Sequence, residues 1–361
     1  MVCKYLINLK IGDDKTCAAA LLHDVIEDNA EVSKETLVTT YKLKVEVYDI
    51  VEILTKPKGY KQIENGEKKY YERIKLNKRA LAIKLSDRAN NLSTVDAFTK
   101  EKMIDYVNET KIFYYELCRY GKAYFPEYSN AITIMKYQIQ SICESIEALF
   151  NIKVLESDPL KYRKTFIFIR DYSINKGLKN TAKAVFIANN LHKGDVRKTG
   201  DPFIIHPLRV CSYLIALRIN DDIACASSLL HETLSRGKLP RGGIELTEDY
   251  KLDPKISEVI TLLTRSNDVS NEQYYSNLKT NIIAILVKLS NKAHTCTRLS
   301  TYTDTQKEAY IVETRTFIDD LCNFAQENYP EYWDQIEIMK YHIFSICKIV
   351  EAIMKVKKDE K

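Results

Sequence analysis

The feature that most constrains this chain is that its sequence occurs twice. Val2-Cys3-Lys4-Tyr5-Leu6-Ile7 recurs as Val210-Cys211-Ser212-Tyr213-Leu214-Ile215, and Leu21-Leu22-His23-Asp24 recurs as Leu229-Leu230-His231-Glu232, both at an offset of 208. Further on, Lys84-Leu85-Ser86-Asp87 matches Lys288-Leu289-Ser290-Asn291, and Ile134-Met135-Lys136-Tyr137 matches Ile338-Met339-Lys340-Tyr341, now at 204. Four residues have been lost from the second copy in between. Self-similarity at a fixed spacing predicts two domains of one fold, and 361 residues are enough for two of ordinary size.

The copies differ in extent. Residues 151–208, which end in Arg197-Lys198-Thr199-Gly200-Asp201-Pro202-Phe203-Ile204-Ile205-His206-Pro207, have no counterpart ahead of the first copy, and Met1 aligns with Arg209. The expected domains are therefore 1–153, starting in mid-domain without the leading helices, and 154–361, which is complete. The boundary is expected at the linker-like Leu155-Glu156-Ser157-Asp158-Pro159.

An all-α fold is expected. Apolar residues recur at three- and four-residue spacing over 15–27, 34–54, 67–97, 100–121 and 127–150, and 181–191 reads as a further helix. Ten Gly and eight Pro are few for this length, which favours long helices over β-rich architectures. Pro126 and Pro330 are expected to open the last helix of each copy. Aromatic clusters such as Phe113-Tyr114-Tyr115 read as core.

The net charge of +5, over 54 basic and 49 acidic residues, gives no argument for nucleic acid or membrane as a partner. No apolar run approaches the roughly 20 residues needed to span a bilayer, and the first residues lack a signal-peptide layout. Eight of the nine Cys pair off between the copies, leaving Cys296, and none forms a Cys-x-x-Cys pair. They are expected as reduced packing residues of a cytoplasmic protein.

The chemistry centres on Leu21-Leu22-His23-Asp24-Val25-Ile26-Glu27-Asp28. On a continuous helix Glu27 lies one turn beyond His23, and Asp28 one turn beyond Asp24, so one face would carry an imidazole and three carboxylates. Such a group at the end of a buried helix is costly unless compensated. A divalent cation compensates it, since imidazole with carboxylate suits Mn, Fe or Zn; a helix end with solvated acids is the alternative. A second segment, Lys84-Leu85-Ser86-Asp87-Arg88-Ala89-Asn90-Asn91-Leu92-Ser93-Thr94, places Asp87, Asn91 and Thr94 on one helical face. Asp87 could complete a metal site with His23 and Asp24, and Arg88 offers a cation for phosphate or an acidic partner. An amphipathic helix with an ordinary polar face would show the same pattern.

These two segments resemble the HD-domain phosphohydrolases, and most closely the RelA/SpoT-type guanosine 3′,5′-bis(diphosphate) 3′-pyrophosphohydrolases. His192 to Pro207 resembles the leading motif of that family, His-x-Gly-x-x-Arg-Lys-x-Gly-x-Pro-[Tyr/Phe]-Ile-x-His-Pro. The resemblance covers nearly the whole chain and implies two tandem HD-domain helical bundles.

It further implies a metal, usually manganese, held by a first His, the His-Asp pair and a later Asp. In copy one the last three are His23, Asp24 and Asp87, and the first His is absent. Glu27 and Asp28 match the acid pair that orients and activates the attacking water. Arg88, Asn91 and Thr94 match residues lining the nucleotide pocket. In copy two, His206 and His231 match the two His ligands, and Arg197 and Lys198 the nucleotide contacts. There, however, Glu232 replaces the Asp of the pair, Asn291 the later Asp, and Ser235-Arg236 the acid pair. Thr295 and Arg298 stand where Asn91 and Thr94 stand. Asn291 removes a ligand charge, and Arg236 puts a cation near the metal. Glu232 could still reach a metal and His294 could substitute. The expected role of copy two is structural, or binding of an anion through Arg197, Lys198 and Arg236.

The expected function is thus metal-dependent hydrolysis of a guanosine polyphosphate or related nucleotide. The alternative is a catalytically degenerate HD-fold protein that binds nucleotide or a protein partner in a regulatory role, and a helical scaffold without a small ligand is a third. The ligand missing from copy one leaves three accounts: a start upstream of Met1, supply of His206 by copy two or by a second chain in a homodimer, or an inactive first copy. No nucleotide synthetase activity is expected.

Overall fold

The computed structural model describes residues 1–361 apart from 30, 31, 34, 61, 153–158, 198, 199, 267, 360 and 361. The chain divides into two compact units, Met1–Ile146 and Glu147–Lys361. The expected linker at 155–158 lies outside the described residues.

The first unit contains α1 (Val2–Asn8), α2 (Asp14–Leu22), α3 (Val25–Asp28), α4 (Val45–Leu54), α5 (Gly66–Lys75), α6 (Lys78–Leu92), α7 (Lys100–Glu109), α8 (Tyr115–Tyr124) and α9 (Ser129–Leu149), whose last turn crosses the division. The second contains α10 (Pro159–Lys176), α11 (Lys179–Leu191), α12 (Ile205–Ala216), α13 (Asp222–Leu230), α14 (Ile244–Glu248), α15 (Pro254–Leu263), α16 (Asn271–Leu278), α17 (Ile282–Thr295), α18 (Asp304–Glu313), α19 (Asp319–Asn328) and α20 (Trp333–Asp359). The fold is all-α. The described residues hold no strand, and one isolated bridge pairs Val196 with Pro202. No helix among them is long and apolar enough to cross a membrane.

Capping residues cut the long periodic stretches into shorter helices. The stretch 67–97 breaks because the Asn77 side chain accepts from the backbone N–H groups of Arg79 and Ala80 at 2.9 and 3.1 Å, starting α6 afresh. Asn281 does the same for α17, accepting from Ile283 and Ala284 at 2.9 and 3.2 Å. Asp13 caps α2 through Thr16 N–H at 2.8 Å, and Asp221 caps α13 through Ala224 N–H at 2.7 Å. The stretch 34–54 is broken after a π-type turn at Thr36–Thr40 by Lys42, at φ +57°. A second π-type turn, Thr110–Tyr114, joins α7 to α8. Pro126 opens a short 3₁₀ turn, Pro126–Tyr128, that leads into α9.

In the first unit α6 runs through the core, and α1, α2, α4, α5 and α8 pack around it. Its Leu81, Ile83, Leu85 and Leu92 are fully buried, and each such side chain stabilises by roughly 1.5–3 kcal/mol. At Gly121 on α8, a Cβ would lie 2.7 Å from Ile132 Cδ1 and 2.9 Å from Leu81 Cδ2, so a larger residue there would have to displace these side-chain ends. In the second unit α17 takes the central place, packed by α12, α13, α15 and α20. Ala184, Ala188, Leu208, Cys211, Leu229 and Ile256 belong to one buried cluster beside it. Ser86 Oγ on α6 donates to the Val2 carbonyl at 3.2 Å, and Ser290 Oγ on α17 donates to the Val210 carbonyl at 2.9 Å. All nine cysteines are free thiols. Cys3 and Cys17 are half-buried and the other seven are buried.

Candidate functional site

In the first unit two turn residues separate α2 from α3. His23 ends α2 and Asp24 stands at the start of α3, so the expected continuous helix over 15–27 is interrupted at the His-Asp pair itself. His23 Nδ1 lies 2.9 Å from the Ala20 carbonyl oxygen, which only a protonated nitrogen can face. Nε2 is then directed at two carboxylates, 3.0 Å from Asp24 Oδ2 and 3.6 Å from Asp87 Oδ1. It is buried and forms no well-aligned hydrogen bond, so it meets these carboxylates as an ion pair. Burial alone would lower the pKa of His23, but Asp24 and Asp87 outweigh it and push it up to about 10. Burial likewise opposes ionisation of Asp87, yet His23 and Lys84 hold its carboxyl well below the usual range. Lys84 Nζ donates to Asp87 Oδ2 at 3.2 Å, and Asn91 Nδ2 to Asp87 Oδ1 at 2.9 Å.

Beyond the break, the Asp28 backbone N–H donates to the Asp24 carbonyl at 2.9 Å, so Asp28 follows Asp24 by one helical turn as expected. Glu27 Oε1 accepts from the Lys56 backbone N–H at 2.6 Å, and Oε2 pairs with Lys56 Nζ at 3.3 Å. Asp28 is exposed at the end of α3.

The polar face expected of α6 is only partly present. Asn91 touches Asp87, but α6 ends at Leu92, and the exposed Thr94 donates its hydroxyl to the Asn91 carbonyl at 3.0 Å. Arg88 is buried in the core of the first unit. It is 4% exposed, donates to Tyr114 OH at 2.9 Å and pairs with Glu109 at 3.0 Å. Its guanidinium stacks over Tyr106 and Tyr114 at 3.8 and 4.0 Å. A buried cation held on both faces and by an ion pair in this way braces helices, although its Nε has no hydrogen-bond partner. Lys292 occupies the same setting in the second unit, pairing with Glu313 at 2.7 Å and lying 3.6 Å from the Tyr310 ring.

In the second unit His206 from α12 meets His231 from the end of α13, with Nε2 to Nε2 at 3.1 Å. His231 Nδ1 donates to the Ser228 carbonyl at 2.7 Å, as His23 does to Ala20. Glu232 Oε1 lies 3.5 Å from His206 Nε2 and 3.8 Å from His231 Nε2. Among the described residues, His206, His231 and Glu232 are the group whose ligand atoms all lie within 4.8 Å of one another. His294 adjoins the other nitrogen of His206, Nδ1 to Nδ1 at 2.9 Å, so it holds the ring from behind and does not replace the missing Asp at the Nε2 side. Asn291 accepts from Thr295 Oγ1 at 3.1 Å. Burial lowers the pKa of His206 to about 4 and lowers those of His231 and His294 too.

A cavity of about 750 Å³ opens beside this cluster. Arg197, Arg236, Arg265 and Arg298 line it, with Phe203, Tyr302, Glu232 and Glu313. Arg236 Nε donates to Glu232 Oε2 at 3.1 Å. Lys198 lies outside the described residues. Sequence reasoning missed Arg265, which the fold brings in from beyond α15 with no motif to mark it. It also missed Lys84 and Lys56; the i,i+3 spacing of Lys84 to Asp87 was the available signal for the first. The leading motif does structural work as well: His192 Nδ1 meets Asp195 at 3.1 Å, and Asp195 is held by Lys238 at 2.8 Å.

The two clusters fit a divalent cation differently. In the first unit an imidazole nitrogen without a well-aligned hydrogen bond faces two carboxylates, a donor set that suits one. In the second the donors converge more tightly, but Glu232 already pairs with a guanidinium and Asn291 brings no charge. The charge balance there is against a hard dication despite the close spacing.

No family model matches the chain. Among curated proteins it is similar to guanosine-3′,5′-bis(diphosphate) 3′-pyrophosphohydrolase of Borreliella burgdorferi, 26% identical over 186 residues, covering 44% of this chain and 27% of the relative. It is similar to GTP pyrophosphokinase of Myxococcus xanthus, 25% identical over 169 residues, 43% of this chain and 22% of the relative. It is also similar to GTP pyrophosphokinase rsh of Brucella melitensis, 30% identical over 129 residues, 34% of this chain and 17% of the relative. These matches span 27% or less of the relatives' length.

Proposed function

We propose that this chain processes the pyrophosphate of a guanosine nucleotide, by hydrolysis in its first unit. The observation that carries the reading is the buried Nε2 of His23, facing Asp24 and Asp87 without a well-aligned hydrogen bond to either; the names of the relatives supply the nucleotide. His23, Asp24 and Asp87 would hold a divalent cation, manganese by the family resemblance. When bound, such a cation supplies Lewis acidity to the phosphate and lowers the pKa of water.

The rest falls to the chain's own side chains. Lys84 and Asn91 fix the Asp87 carboxylate. Lys56 fixes Glu27, which with Asp28 takes the proton of the attacking water. The water oxygen bonds to the phosphorus at the ribose 3′ position, the bond from that phosphorus to the 3′ oxygen breaks, and GDP and pyrophosphate leave. The test is to incubate the full chain with manganese and guanosine 3′,5′-bis(diphosphate) and follow pyrophosphate release. Turnover lost together with the ion in Asp87→Asn supports the reading, and absence of turnover in the parent chain overturns it.

A second reading, nucleotide binding without turnover in the second unit, is favoured by Arg236, which stands where Asp28 of the acid pair stands in the first unit and pairs with Glu232.

A further inference from the structure

The cavity of the second unit is built for an anion by its departures from the first unit. At four aligned positions the first unit has Glu27, Asp28, Asp87 and Thr94, a formal charge of −3, and the second has Ser235, Arg236, Asn291 and Arg298, a formal charge of +2. A set at −3 attracts a dication, which then attracts phosphate; a set at +2 attracts phosphate directly. The structure adds two guanidiniums to this wall. Nη1 of Arg197 is buried without a hydrogen-bond partner, and Arg265 donates to the neutral Val269 carbonyl and Asn271 amide oxygen.

The cavity's own carboxylates do not neutralise them. Glu232 pairs with Arg236 at 3.1 Å, and Glu313 with Lys292 at 2.7 Å. Arg298 reaches the buried Asp201 at 3.4 Å, which fixes its stem at the rim. Arg236 lies 3.5 Å over the Phe203 ring, which holds its planar fork in place. Burial, and the neighbouring charge of Arg298, disfavour the cation of Arg197 in the empty cavity, a cost that a bound anion relieves.

We propose that this cavity binds the phosphate chain of a nucleotide directly through Arg197, Arg236, Arg265 and Arg298, with no divalent cation. Guanidinium forks match phosphate oxygens in pairs, so the arginines supply both charge and geometry. A volume of about 750 Å³ is that of a small-molecule site with room for a nucleoside as well as its phosphates. The proposal rests on the reading above only for its choice of guanosine.

The test is calorimetry on the full chain in EDTA, with GDP, inorganic pyrophosphate and guanosine as probes. GDP is expected to bind saturably and at least tenfold more tightly than pyrophosphate, and guanosine not to bind. Arg265→Gln, at an exposed residue, is expected to weaken GDP tenfold or more, and Arg298→Thr, which installs the first unit's residue, to do likewise. Because Arg298 also braces Asp201, the Arg265 variant decides the matter if the other unfolds. Absence of GDP binding in EDTA, binding that requires added manganese, or parent-like affinity in Arg265→Gln overturns the proposal. Pyrophosphate binding as tight as GDP overturns its nucleotide part. Turnover of the bis(diphosphate) in manganese reports only on the first unit, so the two readings fail separately.

Discussion

The Tyr213 hydroxyl lies 3.2 Å from Nδ1 of His342 in the core of the second unit. In the first unit the aligned contact is Tyr5 OH donating to Gln138 Oε1 at 2.6 Å. Burial lowers the pKa of His342 to about 3, so the ring is neutral when folded and gains a proton on unfolding anywhere between about 3 and its ordinary value. The unfolded state binds more protons in that window. Stability is therefore full above about pH 6.5 and falls as the pH drops towards 3. His342→Gln keeps a partner for Tyr213 and removes the titration. Between pH 7 and pH 5 the variant should lose about 2 kcal/mol less than the parent in urea unfolding; equal losses would place the acid sensitivity elsewhere.

Asp87 pairs with Lys84 and, on the proposed function, would also hold the cation. Asp87→Asn, which installs the residue found at position 291, should abolish manganese retention in equilibrium dialysis. It should also cost roughly 2–4 kcal/mol, because it leaves the buried ammonium of Lys84 without its counter-charge. Adding Lys84→Met should restore most of the stability and none of the ion binding. If the double variant regains the ion, Asp87 is not a ligand.

Arg88 is held in the core by Glu109, Tyr106 and Tyr114. Arg88→Lys should be mild, below about 1.5 kcal/mol, since Lys292 fills the same role beside Glu313. Arg88→Met should cost roughly 2–4 kcal/mol because Glu109 is left facing an apolar group. Thermal melts check both, and a full-stability Arg88→Met protein with weakened nucleotide affinity would place Arg88 at the pocket.

Glu27 sits on the surface with only Lys56 to hold it, so its loss should leave the fold intact. Glu27→Gln should lower turnover of the bis(diphosphate) by about 10²–10³-fold with an unchanged melting temperature. Parent-like turnover would remove Glu27 from the proton's path.

Asp13 caps α2 and also accepts from Arg79 Nε at 3.1 Å. The Arg79 hydrogen bond, against a smaller opposing effect of burial, holds the Asp13 carboxyl well below its ordinary range. Its contribution is present above the ordinary carboxylate pKa and fades as the pH falls below it. Asp13→Ala should cost about 1–2 kcal/mol at pH 7 and progressively less in acid, read by urea unfolding at each pH.

The sequence by itself determined that the chain is all-α, because three- and four-residue spacing requires a helix whatever packs against it. Spacing alone read straight across Asn77, where the structure starts a new helix with a local side-chain cap. The sequence brought His23, Asp24 and Asp87 to notice by residue type. Tertiary structure alone decided what those side chains face. Spacing assumes a continuous helix, and turn residues at His23 and Asp24 interrupt it, while Glu27 meets Lys56. A polar residue on a helix reads the same whether solvent or a partner lies opposite it, so only packing could enclose Arg88 among Tyr106, Tyr114 and Glu109. No local pattern could bring Arg265 to the same cavity as Arg197 and Arg298, because its place there is set by how distant helices dock.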